Sequence, residues 1–145
     1  MIVPDVNLLL YATIDGFPQH ERARTWWEEV LSGEHEVGLT VPSTLGFLRV
    51  ATHRRVLERP MSLAEAGDSI RGWLGQPFVS ILRPGAGHLG TVLDLLDGIG
   101  TAGNLTTDAQ IAAAAVEHGG TVCSADSDFA RFTGVAWVNP LSDAR

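Results

Sequence analysis

The sequence predicts an α/β fold in which a mostly parallel central sheet lies between two layers of helices, a three-layer α/β/α sandwich. Short apolar segments alternate along the chain with longer amphipathic ones, and this alternation is typical of strands and helices that form a parallel sheet. The chain has 145 residues, of which 45% are hydrophobic, and this suits one domain with a substantial core. It contains no internal repeat, linker or low-complexity tract, so residues 1–145 are predicted to form a single domain.

Each predicted strand is a short apolar run, and the predicted helices carry an apolar face or a capping signal. Pro4 cannot donate to a sheet ladder, so the first strand should end there. Ser62 and Glu65 have the spacing of a capping box, which should begin a helix. The predicted strands are 1–4, 37–41, 78–82, 122–123 and 136–138, and the predicted helices are 6–12, 20–31, 44–57, one that starts after residue 62, 88–96 and 105–118.

The composition excludes several classes of function. All ten basic residues are arginines, so the chain lacks the lysine that a P-loop or Schiff-base chemistry needs. A net charge of −7 argues against non-specific binding of nucleic acid, but a nuclease depends more on where its arginines lie. The chain shows no membrane span and no signal peptide, and its one cysteine excludes an internal disulfide. These features predict a cytoplasmic protein.

Aspartates stand where predicted strands end and predicted helices begin: Asp5, Asp108, Asp126 and Asp128. Each of them could simply cap a helix or complement its dipole. Taken together they indicate more, because ligands of α/β sheets bind outside the carboxyl ends of the strands. Carboxylates gathered at that edge repel one another unless a hard cation holds them, usually Mg²⁺ or Mn²⁺. The pattern therefore predicts metal-assisted hydrolysis, in which the cation lowers the pKa of a water molecule and polarises a phosphoryl oxygen.

Three segments in order along the chain resemble a known family. Residues 3–12 read VPDVNLLLYA, residues 105–115 read LTTDAQIAAAA, and residues 121–132 read TVCSADSDFARF. Together they resemble the PIN domains, and within them the VapC toxins of bacterial toxin–antitoxin pairs. The resemblance extends over nearly the whole chain. It implies a ribonuclease that depends on Mg²⁺ or Mn²⁺, a homodimer, and a small VapB-like antitoxin as partner.

The resemblance also implies roles for individual residues. Asp5, Asp108 and Asp126 match the acidic catalytic and metal-binding positions, and Asp128 matches a fourth acid that binds metal or supports the site. Polar positions beside these acids are matched by Asn7 and Ser124. Both residues are expected to support the acids through hydrogen bonds.

One position departs from the family pattern. Many PIN domains carry a glutamate in the helix that corresponds to residues 44–57, and the aligned residue here is Gly46. With one acid fewer, a one-metal mechanism is the expectation. The same departure motivates a second hypothesis, a catalytically weak PIN-like module that acts mainly by binding its antitoxin. A third hypothesis, a phosphohydrolase of small phosphate esters, ranks last because Asn7 stands where its second aspartate belongs and its lysine is missing.

Two further predictions concern surfaces. Arg49 and His53 are four residues apart on a predicted helix and are candidates to hold RNA phosphates, with a solvated helix surface as the alternative. Trp26 and Trp27 are adjacent, so they point about 100° apart around their helix. Because one core need not absorb both rings, the pair favours a subunit contact.

Overall fold

The computed structural model describes residues 1–142, and it contains one sheet of five parallel strands in the order β3-β2-β1-β4-β5. The strands are β1 (Ile2–Pro4), β2 (Val37–Leu39), β3 (Val79–Ile81), β4 (Thr121–Cys123) and β5 (Trp137–Val138). The helices are α1 (Val6–Thr13), α2 (His20–Ser32), α3 (Val41–Ala51), α4 (Leu63–Leu74), α5 (His88–Ile99) and α6 (Thr106–His118). Two short 3₁₀ turns, Gly103–Leu105 and Ser127–Arg131, precede α6 and follow β4.

The sheet lies between two apolar clusters, which confirms the predicted three-layer sandwich. One cluster joins α1, α2, α3 and α4, and the other joins α5 and α6. Neighbouring residues of β4 enter different clusters, since Val122 packs with α5 and α6 while Cys123 packs with the other four helices. This is the alternation that a strand buried on both faces requires.

The largest difference from the predicted elements is at α3. Thr40 caps this helix, because its Oγ1 accepts a hydrogen bond from the backbone N–H of Ser43 at 3.1 Å. The helix therefore begins at Val41 rather than at residue 44, with Pro42 in its first turn, where a missing N–H costs nothing. It ends at Ala51, so the prediction that it extends to residue 57 is wrong.

The tryptophan pair is divided between core and surface. Trp27 is only 4% exposed, and its ring meets that of Trp73 edge to face at 5.8 Å between centroids. Phe47 of α3 continues this aromatic cluster, at 5.0 Å from Trp73. Trp26 is only partly buried. The core thus absorbs one of the two rings.

The ends of β1 and β4 position the candidate acids. The strands are adjacent and parallel, and Pro4 pairs with Cys123 at their carboxyl ends. The next residue after β1 is Asp5, and its backbone N–H donates to the carbonyl of Cys123 at 2.9 Å.

Within residues 1–142, no helix has both the length and the apolar character needed to cross a bilayer.

Candidate active site

Asp5 lies at the bottom of the site, almost fully buried between the strand ends. Its Oδ1 accepts from the backbone N–H of Val6 at 2.7 Å, so Asp5 caps α1. Its Oδ2 accepts from the hydroxyl of Ser124 at 2.7 Å. The capping role and the site role therefore coexist in one side chain, and neither excludes the other.

Ser124 is the centre of a hydrogen-bond network that joins both ends of the chain. Its fully buried hydroxyl donates to Asp5 and accepts from Asn7 Nδ2 at 3.2 Å and from the backbone N–H of Asp126 at 2.9 Å. The Oδ1 of Asn7 is 3.4 Å from the backbone N–H of Ala125. Asn7 and Ser124 are thus hydrogen-bonded to Asp5, to the backbone of Asp126 and to each other.

The other three acids come together at the mouth of the site. Asp108, Asp126 and Asp128 each offer one carboxylate oxygen, and these three oxygens lie within 4.8 Å of one another. Asp108 comes from the first turn of α6. Asp126 caps the 3₁₀ turn, because its Oδ1 accepts from the backbone N–H of Asp128 at 2.9 Å. Asp108 therefore meets two acids that lie 18 and 20 positions after it in the sequence.

The electrostatics of the cluster are unfavourable without a cation. Burial, followed by the charges of the three neighbouring aspartates, raises the pKa of Asp108 to about 7. Burial also raises the pKa of Asp5, although the hydrogen bonds from Ser124 and Val6 partly oppose that change. Arg131 brings a counter-charge to this cluster: its Nη1 is 3.9 Å from Asp128 Oδ1, and both side chains are half exposed. Such a pair contributes little.

These residues fit a hard divalent cation. The ligand atoms are carboxylate oxygens, which Mg²⁺ and Mn²⁺ prefer, and the repulsion that raises the pKa of Asp108 is what a cation would relieve. Asp108, Asp126 and Asp128 can supply oxygens directly. Asp5, which the sequence predicted as a further metal ligand, is not one of these three: it is almost fully buried and both of its carboxylate oxygens accept hydrogen bonds.

Gly46 gives a physical reason for the missing acid. It lies on α3 against the first residue of α1, where a Cβ would be 2.8 Å from Cγ2 of Val6. A larger residue therefore fits only if Val6 moves. Two further acids, Asp94 and Asp97, are exposed on α5.

The two candidate RNA-binding residues have different surroundings. Arg49 is exposed on α3 and lines a cleft that Thr107, the neighbour of Asp108, also lines. His53 lies beyond the end of α3, so the expectation that both share one helix face is wrong. The Nδ1 of His53 accepts from the backbone N–H of Arg55 at 3.1 Å, which gives it a local structural role.

Two residues of the site were not predicted from the sequence. Arg131 approaches Asp128 through the three-residue spacing of the 3₁₀ turn, a signal that the sequence does contain. Trp137 of β5 donates from Nε1 to the carbonyl of Ser124 at 3.0 Å, and so fixes the backbone under the network. Nothing in the sequence near Trp137 indicates this contact.

The network predicts a stability effect for Ser124. Replacing Ser124 by Ala leaves Asp5 Oδ2, Asn7 Nδ2 and a backbone N–H without their partner in a buried place. We expect the free energy of unfolding to fall by about 1–3 kcal/mol in urea titrations. Ser127→Ala, which removes an exposed hydroxyl three residues away, is the matched control. Equal unfolding midpoints for the two variants would mean that the network adds nothing to stability.

Comparison with known proteins agrees with the fold and identifies the family. The PIN domain family model matches residues 2–135. Ribonuclease VapC33 of Mycobacterium tuberculosis (strain H37Rv) is 50% identical over 143 residues, which cover 99% of this chain and 100% of that protein. Ribonuclease VapC37 of the same strain is 36% identical and covers 97% of both chains. The crystal structure of M. tuberculosis VapC20, described as a Sarcin-Ricin loop cleaving toxin, has the same fold, with a TM-score of 0.68. The two chains are 18% identical, and the match covers 94% of this chain and 99% of that one. The chain belongs to the PIN-domain family, in the branch of the VapC proteins.

Proposed function

We propose that the protein is an endoribonuclease that hydrolyses RNA phosphodiester bonds and acts as the toxin of a toxin–antitoxin pair. The observation that carries the proposal is the meeting of Asp108, Asp126 and Asp128 above the buried Asp5 in a PIN-domain chain. The name of a relative with 50% identity over its whole length, Ribonuclease VapC33, supports the same activity.

The cofactor in this proposal is Mg²⁺, with Mn²⁺ as a second possibility, held by Asp108, Asp126 and Asp128. When bound, it would supply positive charge to the phosphodiester group and lower the pKa of a nearby water molecule. The chain's own residues prepare this place. Ser124 and Val6 hold Asp5 in one orientation, and the network from Asn7 to Asp126 fixes the end of β4.

The test of the proposed activity uses the purified protein and total RNA. We expect cleavage with Mg²⁺ and none with EDTA, with 5′-end mapping to identify the sites. Induction of the gene should arrest cell growth. We also propose that the protein acts in the cytoplasm, the location that the sequence predicts. Undiminished cleavage in EDTA would contradict the metal dependence.

A catalytically weak binding module remains the second candidate, because Gly46 removes one acid from the family pattern. The packing of Gly46 against Val6 leaves no room for a side chain there without a shift. Measurable Mg²⁺-dependent turnover by the purified protein would exclude this candidate.

The partner in this proposal is a small VapB-like antitoxin. A cavity of about 400 Å³ at the end of α1 is lined by the apolar residues Ile14, Phe17, Val56 and Leu57 together with the charged residues Asp15, Glu58 and Arg59. A second groove shares Ile14 and reaches His20 in the first turn of α2, so an amphipathic segment could pack beside α2. An antitoxin arginine directed toward Asp5 and Asp108 could then pair with Asp108 and compete with the cation for its oxygens, because both oxygens of Asp5 are already used in hydrogen bonds.

We expect the reading frame immediately upstream to encode this antitoxin. Co-expression should give a complex that co-purifies, that weakens only modestly with salt, and in which RNA cleavage is lost. Two proteins that fail to associate, or that associate while cleavage continues at full rate, would contradict the toxin–antitoxin proposal.

We also propose a homodimer, on grounds that differ from the tryptophan pair. Leu89 and Leu93 lie one turn apart on α5 and are 69% and 52% exposed. Such a pair of neighbouring large apolar side chains suits a subunit contact. Trp26, only partly buried, adds a smaller apolar area on α2.

Light scattering tests the dimer. We expect a dimer mass for the wild type at micromolar concentration. The double variant Leu89→Glu, Leu93→Glu should have a monomer mass, because the two glutamates would be buried without a counter-charge at the subunit contact. Leu63→Glu on α4, where the leucine is 71% exposed, is the control and should stay dimeric. A monomeric wild type would contradict the proposal.

A further inference from the structure

A cleft beside the acid cluster has no role in the function proposed so far. It has a volume of about 620 Å³ and lies between α3 and the beginning of α6. On the α6 side it is lined by Thr107 and Gln110, which flank Asp108 in the sequence. On the α3 side it is lined by Gly46, which contacts Val6 next to Asp5. The cleft therefore adjoins the acids on two sides.

The walls of the cleft combine an apolar surface with groups that can form hydrogen bonds. Pro42 and Leu45 of α3 and Pro84 supply the apolar part, and Leu45 is 56% exposed. Gln110 is half-buried, and its Nε2 makes only a long bond of 3.3 Å to the carbonyl of Thr106. A glutamine amide both donates and accepts, so it can bind the edge of a nucleobase whose face rests on the apolar wall.

Arg49 gives the cleft a positive charge that no acid of the site neutralises. It is exposed at the cleft, and within residues 1–142 it forms no ion pair or hydrogen bond through its side chain. His88, which also lines the cleft, already contacts Glu117, with 2.8 Å between Nδ1 and Oε2. In a chain with net charge −7 and four aspartates next to the cleft, Arg49 is the group suited to attract a phosphate.

We propose that this cleft is a subsite that holds one nucleotide of the RNA strand next to the bond that is cut. Arg49 binds the phosphate of that nucleotide, and Gln110 contacts the edge of its base. The inference rests on the proposed ribonuclease function and adds a place where the strand is positioned and its base is selected. Arg49 and Gln110 are positioning residues here, since neither touches the reacting phosphorus.

Binding measurements test the role of Arg49. The probe is a short fluorescein-labelled single-stranded RNA of mixed sequence, followed by fluorescence anisotropy in EDTA. We expect Arg49→Ala to weaken binding about tenfold, because a hydrogen bond to a charged group is lost. The slope of log K against log salt should fall by roughly 0.7, the value for one phosphate contact on a single strand. Arg71→Ala, which removes the same charge from the exposed surface of α4, is the control and should leave both values unchanged.

Cleavage kinetics in Mg²⁺ provide a second measurement. Arg49→Ala should raise KM about tenfold with a much smaller change in kcat, the pattern of lost substrate binding rather than lost chemistry. Gln110→Leu keeps a similar volume but removes the amide. We expect it to reduce the wild type's preference among RNAs that differ only in the base next to the cut, while Gln110→Glu should change which base is preferred.

The possible outcomes separate the two proposals. If the wild type cleaves RNA but Arg49→Ala matches it in KM and salt slope, the subsite is wrong and the ribonuclease function stands. If the wild type does not cleave RNA in Mg²⁺, the proposed function fails, whatever the cleft binds. Light scattering on the same variants tests whether the cleft is instead a contact between two copies of the chain. A changed mass for Arg49→Ala or Gln110→Leu would identify the cleft as a contact between two copies of the chain and overturn the subsite.

Discussion

Replacing Asp108 by Asn is expected to reduce Mg²⁺-dependent RNA cleavage by at least about a hundredfold and to leave the metal-free protein no less stable than the wild type. Asparagine has nearly the same shape, but it brings no charge to the cation. In the metal-free protein, burial and the neighbouring carboxylates already disfavour the ionised form of Asp108. A neutral amide removes that cost.

The experiment compares cleavage rates and melting temperatures at pH 8, where Asp108 is ionised in the wild type. Asp97→Asn, an identical change on the exposed side of α5, is the matched control for both measurements. We expect Asp126→Asn to behave like Asp108→Asn in the absence of metal, because its Oδ1 can still accept from the N–H of Asp128. Unchanged cleavage by Asp108→Asn would contradict the proposed metal site. A clear drop in melting temperature for Asp126→Asn would instead support a structural capping role for the Asp126 carboxylate.

The fold could be predicted because each local signal agrees with the whole. Pro4 ends β1, the capping box at Ser62 and Glu65 begins α4, and Gly119 in the left-handed region (φ 65°) ends α6. The prediction failed at α3 because Pro42 is compatible with both a loop and the first turn of a helix. The hydrogen bonds of Thr40 decide between the two, and they are visible only in three dimensions.

The site was predictable to a smaller extent. The identity of the acids follows from where strands end, and three of them do meet. The separate role of each acid in the site does not follow from the sequence. Asp5 uses both carboxylate oxygens in hydrogen bonds, one of them to a residue 119 positions away. The contact of Trp137 with Ser124 and the cleft that holds Arg49 likewise depend on which strands and helices are neighbours. Spacing along the chain carries no such information.

The pH dependence of metal binding is the second large effect that we expect. Between pH 6 and pH 8 the apparent affinity for Mg²⁺ should rise about tenfold, because a carboxyl group with a pKa of about 7 is roughly 9% ionised at the lower pH and roughly 91% at the higher one. Isothermal titration calorimetry in buffers with different ionisation enthalpies should detect the proton that Asp108 releases. In Asp108→Asn the residual binding should be weaker and almost independent of pH over this range.

The stability of the metal-free protein should change with pH in the opposite direction. The pKa of Asp108 is higher in the folded protein than in the unfolded chain, so the folded state holds this proton more tightly. The resulting stabilisation is complete below the ordinary pKa of an aspartate, near 3.8, and is lost as the pH rises through about 7. Asp5, whose pKa is also raised, acts in the same direction. Melting temperatures without metal should therefore fall from pH 5 to pH 8. The fall should be less steep in Asp108→Asn. Saturating Mg²⁺ should restore the stability of the wild type at pH 8, since the cation binds the folded site. A wild type whose melting temperature rises over this range in EDTA, or whose slope Asp108→Asn leaves unchanged, would show that folding does not raise the pKa of Asp108.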